Sequence, residues 1–234
     1  MKRLAIVTGA TSGIGRATAV ALAGIGCDLV ISARRETELN ALKAQLSSVQ
    51  VTACKCEISD PSQVEQLAGV AREGGKEHYP VLVNCAGAAH FGPFAESSVE
   101  EILAQLDVNL RGPALLCHAL LPWMLEAAGG QIINVLSMAA SQAIAGAAAY
   151  CASKTGLLAL GRCISAEYRK QGIRVTSILP GSVDTPIWDA QSFTPPREDM
   201  LTPEMIAEEI VRLVEMPQDR NVDELTIMPP KGFL

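Results

Sequence analysis

The sequence predicts an α/β fold: one doubly wound parallel sheet of about seven strands, Rossmann-like, with helices on both faces. Three observations predict it. Short runs rich in Val and Ile alternate with helix-like segments from end to end. Several runs are apolar throughout, as strands covered on both faces are. A glycine-rich turn, "GATSGIG" (9–15), follows the first run and opens the first helical stretch.

The elements follow in order. "LAIV" (4–7) leads into the turn, where Gly9, Gly13 and Gly15 form the pattern GxxxGxG. Glycine permits a tight strand-to-helix turn and lets backbone N–H groups at the helix start approach a phosphate. Thr11 and Ser12 add hydroxyls, and Ile14 completes the turn. No Lys-Ser/Thr follows, so a dinucleotide fits better than a nucleoside triphosphate. The second run, "DLVIS" (28–32), continues into Ala33, Arg34 and Arg35, with no carboxylate until Glu36. Two arginines at a strand end are often only solvated. Beside a dinucleotide turn they suit a 2′-phosphate, where an acidic residue would instead bind ribose hydroxyls. "VTAC" (51–54) is followed by Asp60-Pro61, a cap residue before an N1 proline. "VLVN" (81–84) precedes the capping box Ser98-x-x-Glu101, which opens a helical stretch over 99–125. "QIINVL" (131–136) ends at Ser137. Next comes a long helix within "AGAAAYCASKTGLLALGRCISAEYRK", where Tyr150 and Lys154 are four apart and share a face. They are either amphipathic side chains packing their apolar parts or an acid–base pair. "RVTSIL" (174–179), a helix opened by Thr202-Pro203, and "ELTIM" (224–228) complete the alternation. With no internal repeat, low-complexity tract or linker, residues 1–234 read as a single domain, with a short substrate loop near 186–202.

Composition narrows the function. The chain has 234 residues, 49% apolar and 19% charged, which excludes disorder and allows a large core. Net charge is -6 and no Lys/Arg run exceeds two, so nucleic acid and anionic membranes are not expected partners. "MKRLAIVTG" reaches a turn after four apolar residues, unlike a signal peptide, and "ALLCHALLPWMLEAA" is too short and too polar to span a bilayer. The seven cysteines include no CxxC pair, and Cys54-x-Cys56 suits core filling better than zinc. They read as free thiols in a reducing cytoplasm, and no metal site is expected.

Six segments together resemble the short-chain dehydrogenase/reductase family: "TGATSGIG" (8–15), "NCAG" (84–87), "VNL" with Asn109, "NVLS" ending at Ser137, "YCASK" (150–154) and "PGSVDT" (180–185). The resemblance runs from Met1 to about Pro186. It implies Tyr150 as general acid of carbonyl reduction, Ser137 holding the substrate oxygen, Lys154 on the nicotinamide ribose and Asn109 completing a proton relay. It also implies that Asn84, Ala86, Gly87, Glu57 and Ile58 support the adenosine side. Pro180, Gly181, Val183 and Thr185 would serve the nicotinamide side; the family more often has Asp where Glu57 stands. The chemistry is coherent on its own terms. A free tyrosine has a pKa of about 10. A lysine cation beside it favours the phenolate, as does the positive nicotinamide ring after hydride transfer, and together they are expected to draw that value toward the working pH, while a serine hydroxyl donates to oxygen as charge develops.

The expected function is therefore an oxidoreductase passing hydride between nicotinamide and a carbonyl or secondary alcohol, using NADP(H) in preference to NAD(H). An acyl-carrier-protein 3-oxoacyl reductase is the nearest alternative, but "EAAGG" (126–130) and "RKQG" (169–172) are less basic than such enzymes tend to be. A non-catalytic nucleotide sensor on the same fold would be expected to lose part of the Tyr/Lys/Ser set, and all four catalytic positions are kept. A serine hydrolase is disfavoured, since there is no GxSxG elbow and His78, His90 and His118 lack triad context. His118 reads as a helix-packing residue and His90 as a loop residue that could border the pocket. Ile187, Trp188 and Phe193 either line a pocket or pack their loop down. A homo-oligomer, dimer or tetramer, is expected through the helices around 99–125 and 147–168, whose runs "ALLCHALLPWM" and "GLLALGRCI" look too apolar for water. The ending "VDELTIMPPKGFL" lacks the glycine-rich turn frequent in the family after the last strand.

Overall fold

The computed structural model describes residues 2–191 and 193–232. Met1, Ser192 of the substrate loop and the last two residues of "PPKGFL" lie outside the described residues. Seven strands form one parallel sheet: β1 Arg3–Thr8, β2 Asp28–Ala33, β3 Val51–Lys55, β4 Tyr79–Asn84, β5 Gly130–Val135, β6 Ile173–Pro180 and β7 Glu224–Ile227. Each agrees with its predicted run to within two residues at either end. Their order is β3-β2-β1-β4-β5-β6-β7. The chain thus winds outward from β1 to one side and, after β4, to the other, which makes the β1/β4 boundary the switch point.

Alternation along each strand sends side chains to two separate cores. Ala5, Val7, Leu29, Ile31, Val81 and Val83 pack with Leu22, Leu39, Ile206 and Ile210. These helical residues belong to α1 Gly13–Gly24, α2 Glu36–Gln45 and α7 Pro203–Glu215. Leu4, Ile6, Val30 and Leu82 face the other way, onto Val64, Leu67, Leu116 and Leu120, carried by α3 Pro61–Gly74 and α5 Gly112–Glu126. Each fully buried leucine or isoleucine contributes roughly 1.5–3 kcal/mol. The expected caps are made. Asp60 accepts from the Ser62 N–H at 2.9 Å, Thr202 from Met205 at 3.3 Å, and Ser98 and Glu101 bond reciprocally at 3.1 and 2.8 Å.

Three features depart from the sequence reading. The 99–125 stretch is not one helix: α4 Val99–Leu106 passes through a π turn, Asp107–Arg111, into α5. Pro113 has no N–H to return to the Asn109 carbonyl four residues back, so a regular α-helical ladder cannot continue there. The apolar runs of α5 and of α6 Ala148–Tyr168 are largely buried within the chain, including Leu116, Leu120, Met124, Leu157, Leu158 and Ile164. The large apolar side chains that face water nearby are instead Phe94, Val99 and Leu103, before and along α4. His118 points outward from α5 and does not pack. Among the described residues no helix is long and apolar enough to cross a membrane.

Candidate active site

A cleft of about 1050 Å³ opens across the carboxyl ends of the strands, over the switch point. Thr8 closes β1 and ties it to the segment after β4: its Oγ1 accepts the N–H groups of Cys85 and Ala86, both at 3.1 Å. The glycine turn follows. Gly9 has φ +65°, and a Cβ on it would lie 3.0 Å from the Ala86 backbone. A Cβ on Gly15 would meet the Gly9 carbonyl oxygen at 2.3 Å. Only glycine fits either place. Ser12 stands at the N-cap of α1 without a side-chain capping bond, and the first turn carries no acidic residue. The first N–H groups and the positive end of the helix dipole are left to an external anion, and Gly13, Ile14 and Gly15 line the cleft there.

β2 delivers Arg34 to one end of the cleft. Its guanidinium is 3.6 Å from the Glu57 carboxylate and its side chain is 74% exposed, so most of its hydrogen-bonding capacity is open to another partner. Arg35 pairs with Glu38 at 3.1 Å. The turn, the arginines and the room between the two ends fit a dinucleotide carrying an extra phosphate.

At the other end, Ser137 follows β5, and Tyr150 and Lys154 lie on successive turns of α6. Both helix residues are buried, at 9% and 4% exposure. Lys154 Nζ donates to the Val135 carbonyl at 3.1 Å and stands 5.7 Å from the centre of the Tyr150 ring. Burial pulls the lysine down to about 8. Burial also pushes the tyrosine up to about 12, with the Ser137 hydroxyl working the other way. In the protein alone the lysine therefore does not lower the phenol's pKa; the other cause expected, the positive nicotinamide ring, belongs to the cofactor-bound enzyme. The ammonium turns to the Val135 carbonyl, and removal from water dominates at the phenol. Ser137 Oγ accepts the Ala139 N–H at 3.2 Å, which leaves its proton for another acceptor.

Asn109 sits within the π turn and is fully buried. Its Oδ1 accepts from Ala88 N–H at 2.8 Å, and its Nδ2 donates to the Ala88 carbonyl at 2.8 Å and to Ser153 Oγ at 3.0 Å. Ser153 in turn donates to the Tyr150 carbonyl at 2.8 Å. The asparagine thus fixes the segment after β4 to the turn of α6 that bears Tyr150.

The segment after β6 folds over the Tyr150 end of the cleft. Trp188 Nε1 donates to the Val183 carbonyl at 3.0 Å. Phe91 meets the Tyr150 ring edge-on, with centroids 5.7 Å apart at 84°, and the Trp188 ring at 5.7 Å and 54°. Gln191 accepts from Phe91 N–H at 3.1 Å and donates to the carbonyls of Ala89 at 3.1 Å and Ile187 at 2.9 Å. Arg197 joins Asp184 to Asp189.

The sequence pattern of the family described as short chain dehydrogenase matches residues 3–194. The chain belongs to the short-chain dehydrogenase family. It is 33% identical over 228 residues to an uncharacterized oxidoreductase of Staphylococcus haemolyticus, covering 97% of each chain. A solved alcohol dehydrogenase from the archaeon Thermococcus sibiricus, complexed with 5-hydroxy-NADP, is similar at a TM-score of 0.91 and 29% identity, over 98% of this chain and 97% of that one. A metagenomic short-chain oxidoreductase in complex with NADP gives 0.85 and 30%, over 97% and 96%. This short-chain dehydrogenase is an oxidoreductase on a Rossmann-like sheet.

Of the site residues named from sequence, Gly9, Thr11, Ser12, Gly13, Ile14, Gly15, Arg34, Arg35, Glu57, Ile58, Ala86, Gly87, Ser137, Tyr150, Lys154, Pro180, Gly181, Val183 and Thr185 line this dehydrogenase's cleft. Two do not. Asn84 is turned into the sheet, where its Nδ2 donates to Asn134 Oδ1 at 2.9 Å between β4 and β5. Asn109 lies behind the wall, as described. Ile187, Trp188 and Phe193 line the cleft, so the pocket reading of that loop holds, while Trp188 also packs it. His90 is outside the lining, 3.4 Å from Glu101. Sequence reading missed Thr8, Phe91 and Gln191. Thr8 looks like any strand end, and Gln191 reaches a residue 100 positions away.

Proposed function

We propose that this enzyme is an NADP(H)-dependent oxidoreductase that interconverts a carbonyl compound and a secondary alcohol, with Tyr150 as the proton donor and acceptor. The observation that carries the reading is the convergence of Ser137, Tyr150 and Lys154 at one end of a cleft whose other end offers the glycine turn and Arg34. Gly9, Thr11, Ser12, Gly13, Ile14 and Gly15 would hold the pyrophosphate and Arg34 and Arg35 the 2′-phosphate. Glu57, Ile58, Ala86 and Gly87 would flank the adenosine, and Pro180, Gly181, Val183 and Thr185 the nicotinamide. When bound, NADPH supplies a hydride, hence two electrons, to the carbonyl carbon. Tyr150 passes its proton to the carbonyl oxygen, giving the alcohol, and takes one back in the reverse direction. A phenol held at about 12 keeps that proton until negative charge builds on the oxygen. Ser137 donates to the same oxygen, Lys154 carries positive charge nearby, and Asn109 positions the backbone on both sides.

Arg34 supports the preference for NADP(H), and the similar alcohol dehydrogenase and metagenomic oxidoreductase hold 5-hydroxy-NADP and NADP. A phosphate on an open guanidinium is worth on the order of 1–3 kcal/mol, roughly ten to a hundredfold in affinity. Carbonyl-dependent oxidation of NADPH and NADH in wild type, Arg34→Ala and Ala33→Asp tests it. Wild type is expected to favour NADPH, with the ratio falling about tenfold or more in both variants. Preference for NADH, or a ratio unmoved by Arg34→Ala, would reduce the arginines to a solvated strand end. The proposal also includes a homo-oligomer, supported by the exposed Phe94, Val99 and Leu103. A monomer in sedimentation at micromolar concentration would contradict it. A reducing cytoplasm suits the free cysteines, and the loop over 186–202 is the proposed substrate loop.

A further inference from the structure

The class of carbonyl compound can be read from the wall beyond Tyr150, given the reductase reading above. Among the described residues, the charged side chains lining the cleft are Arg34, Arg35, Glu57 and Lys154. Three of these stand at the far end, after β2 and β3. Lys154 is buried and directed at the Val135 carbonyl. The charges of the covering loop are placed elsewhere: Arg197 pairs with Asp184 and Asp189, Asp199 with Lys231, and Glu198 is exposed to solvent. None of them lines the cleft. The reactant end is walled by Phe91, Ile144, Ile187, Trp188 and Phe193.

This wall is built rather than incidental. Phe91 is set by its edge-on contact with Tyr150 and by its backbone N–H bond to Gln191. Trp188 is set by Val183, and Gln191 ties both flanking segments together. Phe193, 67% exposed, continues the same apolar surface toward solvent. Fixed aromatic faces favour a ring placed edge-on or offset against them. A carboxylate brought against this wall would lose water and meet no cation in it, since the Lys154 ammonium is buried and already donates to the Val135 carbonyl. We infer that the reactant is an uncharged ketone or secondary alcohol bearing an aromatic or cyclic group next to the reacting carbon, and that carboxylate-bearing carbonyls are rejected.

The test uses the purified enzyme with NADPH and three probes. Acetophenone and phenylglyoxylate share a ring and differ as methyl against carboxylate; butan-2-one has no ring. Acetophenone is expected to exceed phenylglyoxylate in kcat/KM by about tenfold or more, although the keto acid has the more reactive carbonyl. Trp188→Ala is expected to lower kcat/KM for acetophenone by about tenfold and for butan-2-one by less than about threefold, and Trp188→Phe to retain most of the difference. Preference for phenylglyoxylate, or an equal loss for both ketones in Trp188→Ala, overturns the inference and leaves the reductase reading standing. Failure of all three carbonyls to oxidise NADPH that the enzyme demonstrably binds overturns both.

Discussion

Tyr150 and Lys154 share a corner in which water is scarce, and each responds by favouring its neutral form. For the lysine the linkage with folding has a definite sign. Its folded value, about 8, lies below the ordinary 10.5, so at pH 7 the fold carries a buried ammonium that the unfolded chain leaves solvated. Between about 8 and 10.5 the folded state sheds that proton first, and the lysine's contribution to stability rises with pH. Lys154→Met is therefore expected to stabilise most at pH 7, with its advantage over wild type shrinking by up to about 3 kcal/mol as pH rises to 10.5. Tyr150 acts oppositely above about pH 10, but in both proteins, so it drops out of the difference. Urea midpoints at pH 7 and 9.5 measure it, and an advantage independent of pH would mean the ammonium is not desolvated. Legibility at this scale was uneven for a physical reason. Glycines and the Tyr/Lys spacing announce themselves because few other roles need them. Asn84 did not announce its burial, because an asparagine at a strand end suits a ligand or a neighbouring asparagine equally well.

The glycine turn is an element whose geometry is dictated by contacts rather than by local flexibility. Gly15→Ala drives a Cβ into the Gly9 carbonyl at 2.3 Å, backbone against backbone, so the turn itself must move. Loss of stability by roughly 2–4 kcal/mol and loss of NADPH binding are expected. Gly69, inside α3, has nothing within 4 Å of the same added atom. Gly69→Ala is expected to stabilise by about 0.5–1 kcal/mol with NADPH binding unchanged. Thermal melts and fluorescence titration of the two variants separate contact from propensity; equal effects would refute the contact argument. Strands and capped helices were legible because apolar runs and cap residues are local signals. The π turn and the short turns over 186–199 were not. The first depends on one missing N–H at Pro113, and the second on Gln191, which reaches the segment after β4, and on Arg197, which ties Asp184 to Asp189 within its own segment.

At the scale of the molecule, the sheet order brings the ends of β1, β2, β4, β5 and β6 to one edge, and with them segments that the sequence keeps as far apart as Thr8 and Pro180. Alternating apolar runs made this architecture legible in the sequence, and with it the glycine-turn end of the cleft. The reactant end was legible only as two open readings of Ile187, Trp188 and Phe193, because a wall assembled from the segments after β4, β5 and β6 leaves no local pattern. The central claim is that one phenol at the junction of these segments transfers the proton that completes reduction. Tyr150→Phe tests it most directly, since the ring that packs on Phe91 is kept and only the hydroxyl is removed. The measurement is kcat at saturating ketone and NADPH, beside the Kd for NADPH from fluorescence titration. The account predicts kcat lower by about a hundredfold or more with Kd within about twofold of wild type; turnover within about tenfold of wild type would contradict it.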